Sequence, residues 1–241
     1  MSTKLLKKCL IAFTVVAVLI INSGYFNKPE QVIQIDVSAV LNTRSVTTLT
    51  KGIPVTWATG IDRENGYLTM AASAFMGDTD PHALPDNPLF PANRSHPEIM
   101  LHYSNEDGTG NQTRCITDSG EFSFKVPKEK YADLYLILTS SYGVSSLHFE
   151  LIYQDGVDMK NFVVPDWFKD IPENDPDFSY VAHNMGKWGK KNNLNEKDHH
   201  NIDALNIHPD PKRILTAIKL IKLPGGYLVF WAATGVKQGS P

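Results

Sequence analysis

The sequence predicts an all-β protein, an antiparallel β-sandwich with jelly-roll topology and long proline-rich loops. Three observations predict this class: segments in which apolar and polar residues alternate, glycine-containing turns between such segments, and the lack of a convincing amphipathic helix longer than three turns. Many short strands without alternating helices favour a sandwich over an α/β fold. The chain of 241 residues can bury a sizeable core, and we expect a single domain over residues 31–236 with a disordered tail over 237–241.

The first segment of the chain is predicted to direct export. Lys4, Lys7 and Lys8 precede an apolar run from Cys9 to Ile21, and no acidic residue interrupts them, which is the layout of a secretory signal. The run is shorter than the roughly 20 residues that span a bilayer. We therefore expect residues 1–24 to be a signal peptide, with an uncleaved membrane anchor as the alternative.

Cysteine content and charge narrow the compartment and the partner. Cys115 is the only cysteine after the predicted signal, so an internal disulfide is ruled out, and an exported chain without disulfides is typical of the bacterial periplasm or of bacterial secretion. The net charge is −3, and no basic run follows the signal, which disfavours nucleic acid as a partner. The sequence contains no phosphate-binding glycine loop, which disfavours nucleotides. A carbohydrate, and an uncharged glycan in particular, fits this balance better.

Periodicity assigns the strands in chain order. Residues 31–40, 121–126 and 146–153 alternate apolar and polar side chains, as half-buried strands do. Residues 133–141 are more continuously apolar, which predicts a central strand covered on both faces. Residues 180–191 have room for one short helical turn.

Two turns are predicted to close hairpins. Gln154-Asp155-Gly156 separates residues 146–153 from the next strand, and Pro224-Gly225-Gly226 separates residues 214–223 from residues 227–235. In each turn a glycine can adopt the positive φ that tight hairpins need.

Two long connections carry most of the prolines. Residues 76–97 contain five prolines, and residues 165–178 contain three prolines and five acidic residues around Trp167 and Phe168. Stiffened loops of this length on a compact sandwich are either binding loops or structural wraps.

The C-terminal strands resemble the closing strands of galactose-binding-like jelly-roll modules of secreted carbohydrate-active proteins. The matching pieces are Leu215-Thr216-Ala217-Ile218 and the aromatic-rich Tyr227-Leu228-Val229-Phe230-Trp231, within a stretch of about 35 residues. The resemblance implies a galactose-binding-like sandwich whose loops at one end bind sugar, often beside a structural calcium ion. The chain is longer than such modules, mainly in the two proline-rich loops, so a binding surface here is expected to be built differently.

Aromatic and polar residues of the loops are the predicted sugar-binding groups. Sugar rings stack their apolar faces on aromatic side chains, while their hydroxyls bond to Asp, Asn, Arg and His. The predicted ligand-binding residues are Trp167, Trp188, Asn184, Tyr142 and Asp203. For both tryptophans, plugging a loop onto the sandwich is an equally good interpretation, and Tyr142 stands on a turn that suits either role. Trp57 and Trp231 lie in apolar strands and are expected in the core.

A metal site is predicted only weakly. The segment from Lys197 to His208 is rich in histidine, but its alternation indicates a strand that would send His200 and Asp203 to opposite faces, which argues against zinc. Calcium is better supplied by Asp78 and Asp80 in the first proline-rich loop, although a solvated acidic loop is the more economical interpretation. No other cofactor is expected.

Catalysis is the runner-up to binding. A polysaccharide lyase or glycosidase could draw a base and a carboxylate from His82, His199, His200 and Asp203, but no spacing singles out a pair. A serine-hydrolase elbow is absent from the sequence. The sequence therefore predicts non-covalent glycan recognition, with a polysaccharide-degrading enzyme as the first alternative and a structural envelope protein as the second.

Overall fold

The structure, a computed structural model, describes residues 31–78 and 82–239. The predicted signal over 1–24 and the calcium candidate Asp80 lie outside these residues. Within these described ranges the regular secondary structure is almost entirely strand, with a single 3-10 turn (Ser38–Val40) and one short α-helix, α1 (Met70–Phe75). The strands are β1 (Val32–Ile35), β2 (Val46–Thr50), β3 (Ile53–Val55), β4 (Asn65–Leu68), β5 (Leu89–Phe90), β6 (Ile99–Met100), β7 (Arg114–Ile116), β8 (Gly120–Glu129), β9 (Tyr131–Ser141), β10 (Ser145–Tyr153), β11 (Gly156–Val164), β12 (Phe178–Gly189), β13 (Leu194–Asn206), β14 (Leu215–Lys222) and β15 (Tyr227–Lys237).

Two sheets form the sandwich. The larger is nine-stranded and runs β1-β15-β9-β13-β12-β4-β2-β3, with β7 paired to β15; the smaller runs β11-β10-β14-β8. Pairing is antiparallel except between β2 and β4, which are parallel. The prediction of an all-β antiparallel sandwich is confirmed.

The principal core lies between the two sheets. The smaller sheet contributes Phe124, Phe149 and Leu220, and the larger sheet contributes Leu136 and Phe230. Alternation predicts this arrangement on β8 and β10, where every second side chain is buried. Strict alternation therefore indicates strands that bury side chains on one face only.

A second apolar layer covers the outer face of the larger sheet. Leu84 and Phe90 of the first proline-rich loop, with Ile99 and Tyr103 just after it, belong to one buried apolar cluster with Ile137 of β9. This layer explains why β9 is apolar on both faces, as its continuous pattern predicts. Residues 76–97 thus act largely as a structural wrap.

The second predicted hairpin is wrong. β14 pairs with β10 and β8 in the smaller sheet, whereas β15 pairs with β9 and β1 in the larger one, so Pro224-Gly225-Gly226 carries the chain from one sheet to the other. Lys222 at the end of β14 is buried, and its ammonium donates to the carbonyl oxygens of Asp118, Leu223 and Gly225. Local turn chemistry specifies a reversal but not which sheet receives the next strand. The first hairpin, between β10 and β11, is confirmed.

The helical turn expected within 180–191 is also wrong, because residues 178–189 form β12. β12 and β13 pair over a long ribbon whose register shifts four times. The irregular apolar step from Ile202 to Leu205 in the sequence hints at a bulge that would re-aim Asp203. The register does shift between Asp203 and Ile202, but the extra residue, Val181, is on β12.

The C-terminal strand continues beyond the predicted domain end, since β15 reaches Lys237 and the Gln238 amide donates to the Lys130 carbonyl. Within the described residues, no helix has the length and apolar character needed to cross a membrane.

Candidate functional site

A cleft opens where the β9–β10 turn, the second proline-rich loop and the β12–β13 ribbon meet. We call it the aromatic cleft; its volume is about 650 Å³, within the range usual for ligand sites. It is lined by Asp62, Tyr142, Gly143, Val144, Asp166, Trp167, Phe168, Lys169, Lys187, Glu196, His199 and His200.

Two exposed aromatic side chains flank the aromatic cleft. Tyr142 is 63% exposed and Phe168 is 50% exposed, although apolar rings of this size are usually covered. The Lys169 ammonium lies 4.9 Å from the centre of the Phe168 ring, within cation–π range. Neither ring is used to build the core, so both are free to contact a ligand.

Tyr142 is held in a costly backbone conformation. Its φ is 54°, in the left-handed region that a bulky side chain rarely adopts, and Gly143 follows at φ 104°. The turn is fixed from below because the Ser140 hydroxyl donates to the Gly143 carbonyl at 2.8 Å. Strain of this kind persists where the surroundings impose it, and it concentrates at functional sites.

Asp166 ties the two aromatic walls together. Its carboxyl group is buried and accepts hydrogen bonds from the backbone amides of Gly143 and Phe168. The next residue, Trp167, donates its amide to the Ser140 carbonyl at 2.7 Å. Burial raises the pKa of Asp166, while the two amide bonds and nearby Lys169 oppose the shift. One side chain therefore sets the distance between the turn that carries Tyr142 and the loop that carries Phe168.

Trp167 forms the floor of the cleft rather than an open platform. It is 4% exposed, and the centre of its ring is 4.3 Å from that of His200, in an edge-to-face arrangement. The Lys187 ammonium lies 5.9 Å from the centre of the same ring. Its predicted alternative role, a plug that holds the loop on the sheet, matches this burial.

The ribbon presents His199 and His200 together. In a regular strand, consecutive residues point to opposite faces, yet both line the aromatic cleft. Between the pairs Met185↔His200 and Lys187↔Glu196, β13 uses two more residues than β12, and His199 takes a φ of 73° within this bulge. The bulge thus re-aims His199, whose side chain is 68% exposed.

His200 is the most buried ionisable ring of the site. Burial lowers its pKa, and Glu196 opposes the shift. Its Nδ1 lies 3.3 Å from the Met185 carbonyl oxygen, which can only accept, so in the neutral ring this nitrogen carries the proton. Its Nε2 then faces the Glu196 Oε2 atom at 3.7 Å. The pair combines a basic nitrogen with a carboxylate at the edge of the cleft.

Several predicted residues lie elsewhere. Trp188 is 2% exposed and packs with Leu68 and Ala72. Asn184 is on the ribbon, where its backbone amide donates to the side-chain oxygen of Asn201. His82 contacts β12 through its carbonyl oxygen, which accepts from the Gly186 amide. None of the three lines the aromatic cleft.

The predicted role of Asp203 in ligand binding or catalysis does not agree with its position, because the residue is buried in the protein. Only 1% of the residue is exposed, its Oδ1 atom has no hydrogen-bond partner, and burial raises its pKa well above the usual range. A side chain in this position cannot contact a bound sugar or supply a catalytic carboxylate to the cleft.

The calcium prediction is only partly covered by the described residues. Asp78 accepts a hydrogen bond from the Ser73 hydroxyl at 3.1 Å. In residues 31–78 and 82–239, no group of three or more His, Cys, Asp or Glu side chains is arranged to hold a metal ion.

Sequence reasoning missed Phe168, Lys187, Glu196 and Asp166 as site residues. Phe168 stands beside Trp167, and the sequence gives no means of telling which of two adjacent aromatics faces solvent.

Comparison with known protein families finds no family model that matches this chain, and comparison with curated proteins finds no significant match.

Proposed function

We propose that this chain is an exported carbohydrate-binding protein that recognises a glycan non-covalently in the aromatic cleft. The observation that carries the proposal is the pair of exposed rings, Tyr142 and Phe168, in the lining of a cleft that also contains polar and charged side chains. Stacking on such rings satisfies the apolar face of a sugar, and the polar wall satisfies its hydroxyls.

The polar wall offers complementary hydrogen-bonding groups. Lys187 can only donate, the Glu196 carboxylate accepts, and the exposed His199 ring can do either. Sugar hydroxyls both donate and accept, so they require a mixed wall of this kind. The backbone strain at Tyr142 adds support, because an exposed tyrosine in the left-handed region destabilises the fold without improving its packing.

The experiment is a glycan-array screen of the full chain, followed by titration of Tyr142→Ala and Phe168→Ala against the best-bound glycan. Each substitution removes one stacking ring, and we expect affinity to fall by about tenfold. Phe75→Ala is the matched control: Phe75 is 57% exposed on α1 and does not line the cleft, so affinity should not change. Binding that survives loss of both rings would contradict the proposal.

A second candidate, a polysaccharide-degrading enzyme, is supported by one observation. His200 Nε2 and the Glu196 carboxylate face each other at 3.7 Å at the edge of the same cleft. Such a pair can accept and return a proton during cleavage of a glycosidic linkage. Incubation of bound polysaccharides with the protein, with assays for new reducing ends and unsaturated products, separates the two functions. Turnover that disappears in Glu196→Gln would favour the enzyme; binding without turnover favours the recognition protein.

A further inference from the structure

We propose that the aromatic cleft is the middle of a longer trough, and that the trough takes a linear glycan bearing acidic groups. The inference rests on the proposed function, because it names the class of glycan that the same site binds.

Two further depressions share lining residues with the aromatic cleft. Tyr142 also lines a neighbouring depression of about 220 Å³ that contains Arg63 and Tyr227. On the other side, Lys187 and Glu196 also line a depression of about 530 Å³ along the ribbon. We call these the arginine end and the lysine end. Each of them shares lining residues with the aromatic cleft, which is the observation from which we infer one trough.

The combined volume of the three depressions indicates the size of the ligand. The aromatic cleft alone is large enough for a small ligand, whereas the three depressions together exceed the upper limit of about 1,000 Å³ typical of such sites. The lysine end follows β12 from Lys187 to its last residue, Gly189, roughly 7 Å at about 3.3 Å per residue, and continues onto the turn that carries Lys190 and Lys191. A trough of this length suits several linked sugars rather than one ring.

The charge of the lysine end indicates the charge of the ligand. Lys187, Lys190 and Lys191 line it, and none of them forms an ion pair with another described residue. At this end the three lysines face two carboxylates, Glu64 and Glu196, although the whole chain carries −3. In the rest of the trough Arg63 and Lys169 are outnumbered by Asp62, Asp118 and Asp166, so the excess of positive charge is confined to the lysine end. An acidic ligand therefore meets a favourable local potential here, in spite of the net charge.

A row of ordered amides lies beside these lysines. Asn195 Nδ2 donates to Asn65 Oδ1 at 2.7 Å, and Asn193 Nδ2 donates to Asn195 Oδ1. Asn65 in turn donates to the buried carboxylate of Asp62 at 2.9 Å. The side chains are thus oriented before a ligand arrives, which lowers the entropic cost of binding. Amides supply hydrogen bonds to hydroxyls, and the lysines supply charge to acidic groups.

The test compares acidic and neutral linear polysaccharides on one array, using the full chain. Pectate, alginate and chondroitin sulfate carry carboxylates or sulfates, while xylan, mannan and soluble cellulose derivatives without charge serve as neutral probes. We expect the acidic probes to bind more tightly by tenfold or more, with affinity that falls as salt rises. Chondroitin sulfate carries sulfates in addition to carboxylates, so tighter binding of it than of pectate would show that sulfate contributes.

Variants test the location. In Lys190→Ala/Lys191→Ala, affinity for the acidic probe should fall by about tenfold. Lys125→Ala/Lys128→Ala is the control, since it removes the same charge from exposed sites on β8 outside the trough. Fragments of two to eight sugars should bind more tightly with each added unit until the trough is filled.

The outcomes separate the two proposals. Neutral probes that bind as tightly as acidic ones, or an equal loss in both lysine pairs, would overturn the acidic-glycan inference and leave the proposed function standing. Affinity that is already maximal with two sugars would overturn the long trough. If no polysaccharide of either class binds, the proposed function fails, and the inference fails with it.

Discussion

Two hairpins of this molecule, β10–β11 and β12–β13, are antiparallel, yet only the first keeps an unbroken register. β10 pairs with β11 from Ser145↔Val164 to Tyr153↔Gly156, and its side chains alternate between buried and half-buried throughout. The β12–β13 register shifts four times, and two of its residues, Asn184 and His199, adopt positive φ. The regular hairpin serves the core, whereas the irregular ribbon aims side chains into the aromatic cleft. The interruptions in the pairing thus occur in the hairpin that lines the proposed site, and not in the one that packs into the core.

The largest expected effect is a loss of stability from a substitution in the core of the regular hairpin. Phe149 on β10 is fully buried and packs edge-to-face on Phe162, so Phe149→Ala should lower the free energy of unfolding by about 3–5 kcal/mol. Urea denaturation followed by circular dichroism measures this. Met159→Ala on β11, which is 56% exposed, is the control and should change stability by less than about 0.5 kcal/mol. A loss below about 1 kcal/mol in Phe149→Ala would contradict the assigned core.

The next effect tests Lys222, a charged residue that is buried at the end of β14 in the smaller sheet. Lys222→Met keeps the length of the side chain but leaves the carbonyl groups of Asp118, Leu223 and Gly225 without their shared donor. The free energy of unfolding should fall by about 2–3 kcal/mol. Urea denaturation checks the value, and Lys125→Met, at an exposed site on β8, should be nearly neutral. An unchanged Lys222→Met would mean that the crossover turn does not depend on this ammonium.

The same two hairpins show how far the sequence predicts the structure. Alternation over residues 146–153 shows which face of the strand is buried, and the turn at Gly156 places its partner directly after it in the chain. Both the strand and its pairing could therefore be predicted. The destination of the strand after Gly226 depends on which sheet it joins, a long-range choice that no local signal carries. Burial of Asp203 and exposure of Phe168 depend in the same way on bulges and loop docking. The regularly alternating strands were therefore predictable, whereas β12, expected to hold a helical turn, was not. Sequence analysis named Tyr142, Trp167, His199 and His200 among the candidates, but it could not tell which side chains of the cleft are exposed.

A smaller effect concerns the buried half of the ribbon. Burial raises the pKa of Asp203 above its unfolded value of about 4, so folding is penalised as pH rises from that value toward the folded pKa. Asp203→Asn removes this penalty and should stabilise the protein at neutral pH by about 1–2 kcal/mol. The gain should vanish below the unfolded pKa, where both states of the wild-type side chain are protonated. Urea denaturation across this pH range checks the prediction, and a gain that grows on acidification would contradict it.

The smallest effect contrasts one type of substitution in the two regions. Tyr142→Gly relieves the left-handed backbone and removes an exposed ring, so stability should rise by about 0.5–1 kcal/mol. Met159→Gly, in the regular hairpin, should lower stability by a similar amount because glycine weakens a strand interior. Thermal and urea unfolding of both variants give the two signs. Equal signs would remove the argument that Tyr142 is strained.

The central claim is that the strained, exposed Tyr142 is retained for binding rather than for folding. Calorimetric titration of Tyr142→Gly with the best-bound glycan, on the same samples used for unfolding, tests it most directly. We expect a protein that is at least as stable as wild type and binds about tenfold more weakly. A variant that binds with unchanged affinity would contradict the account.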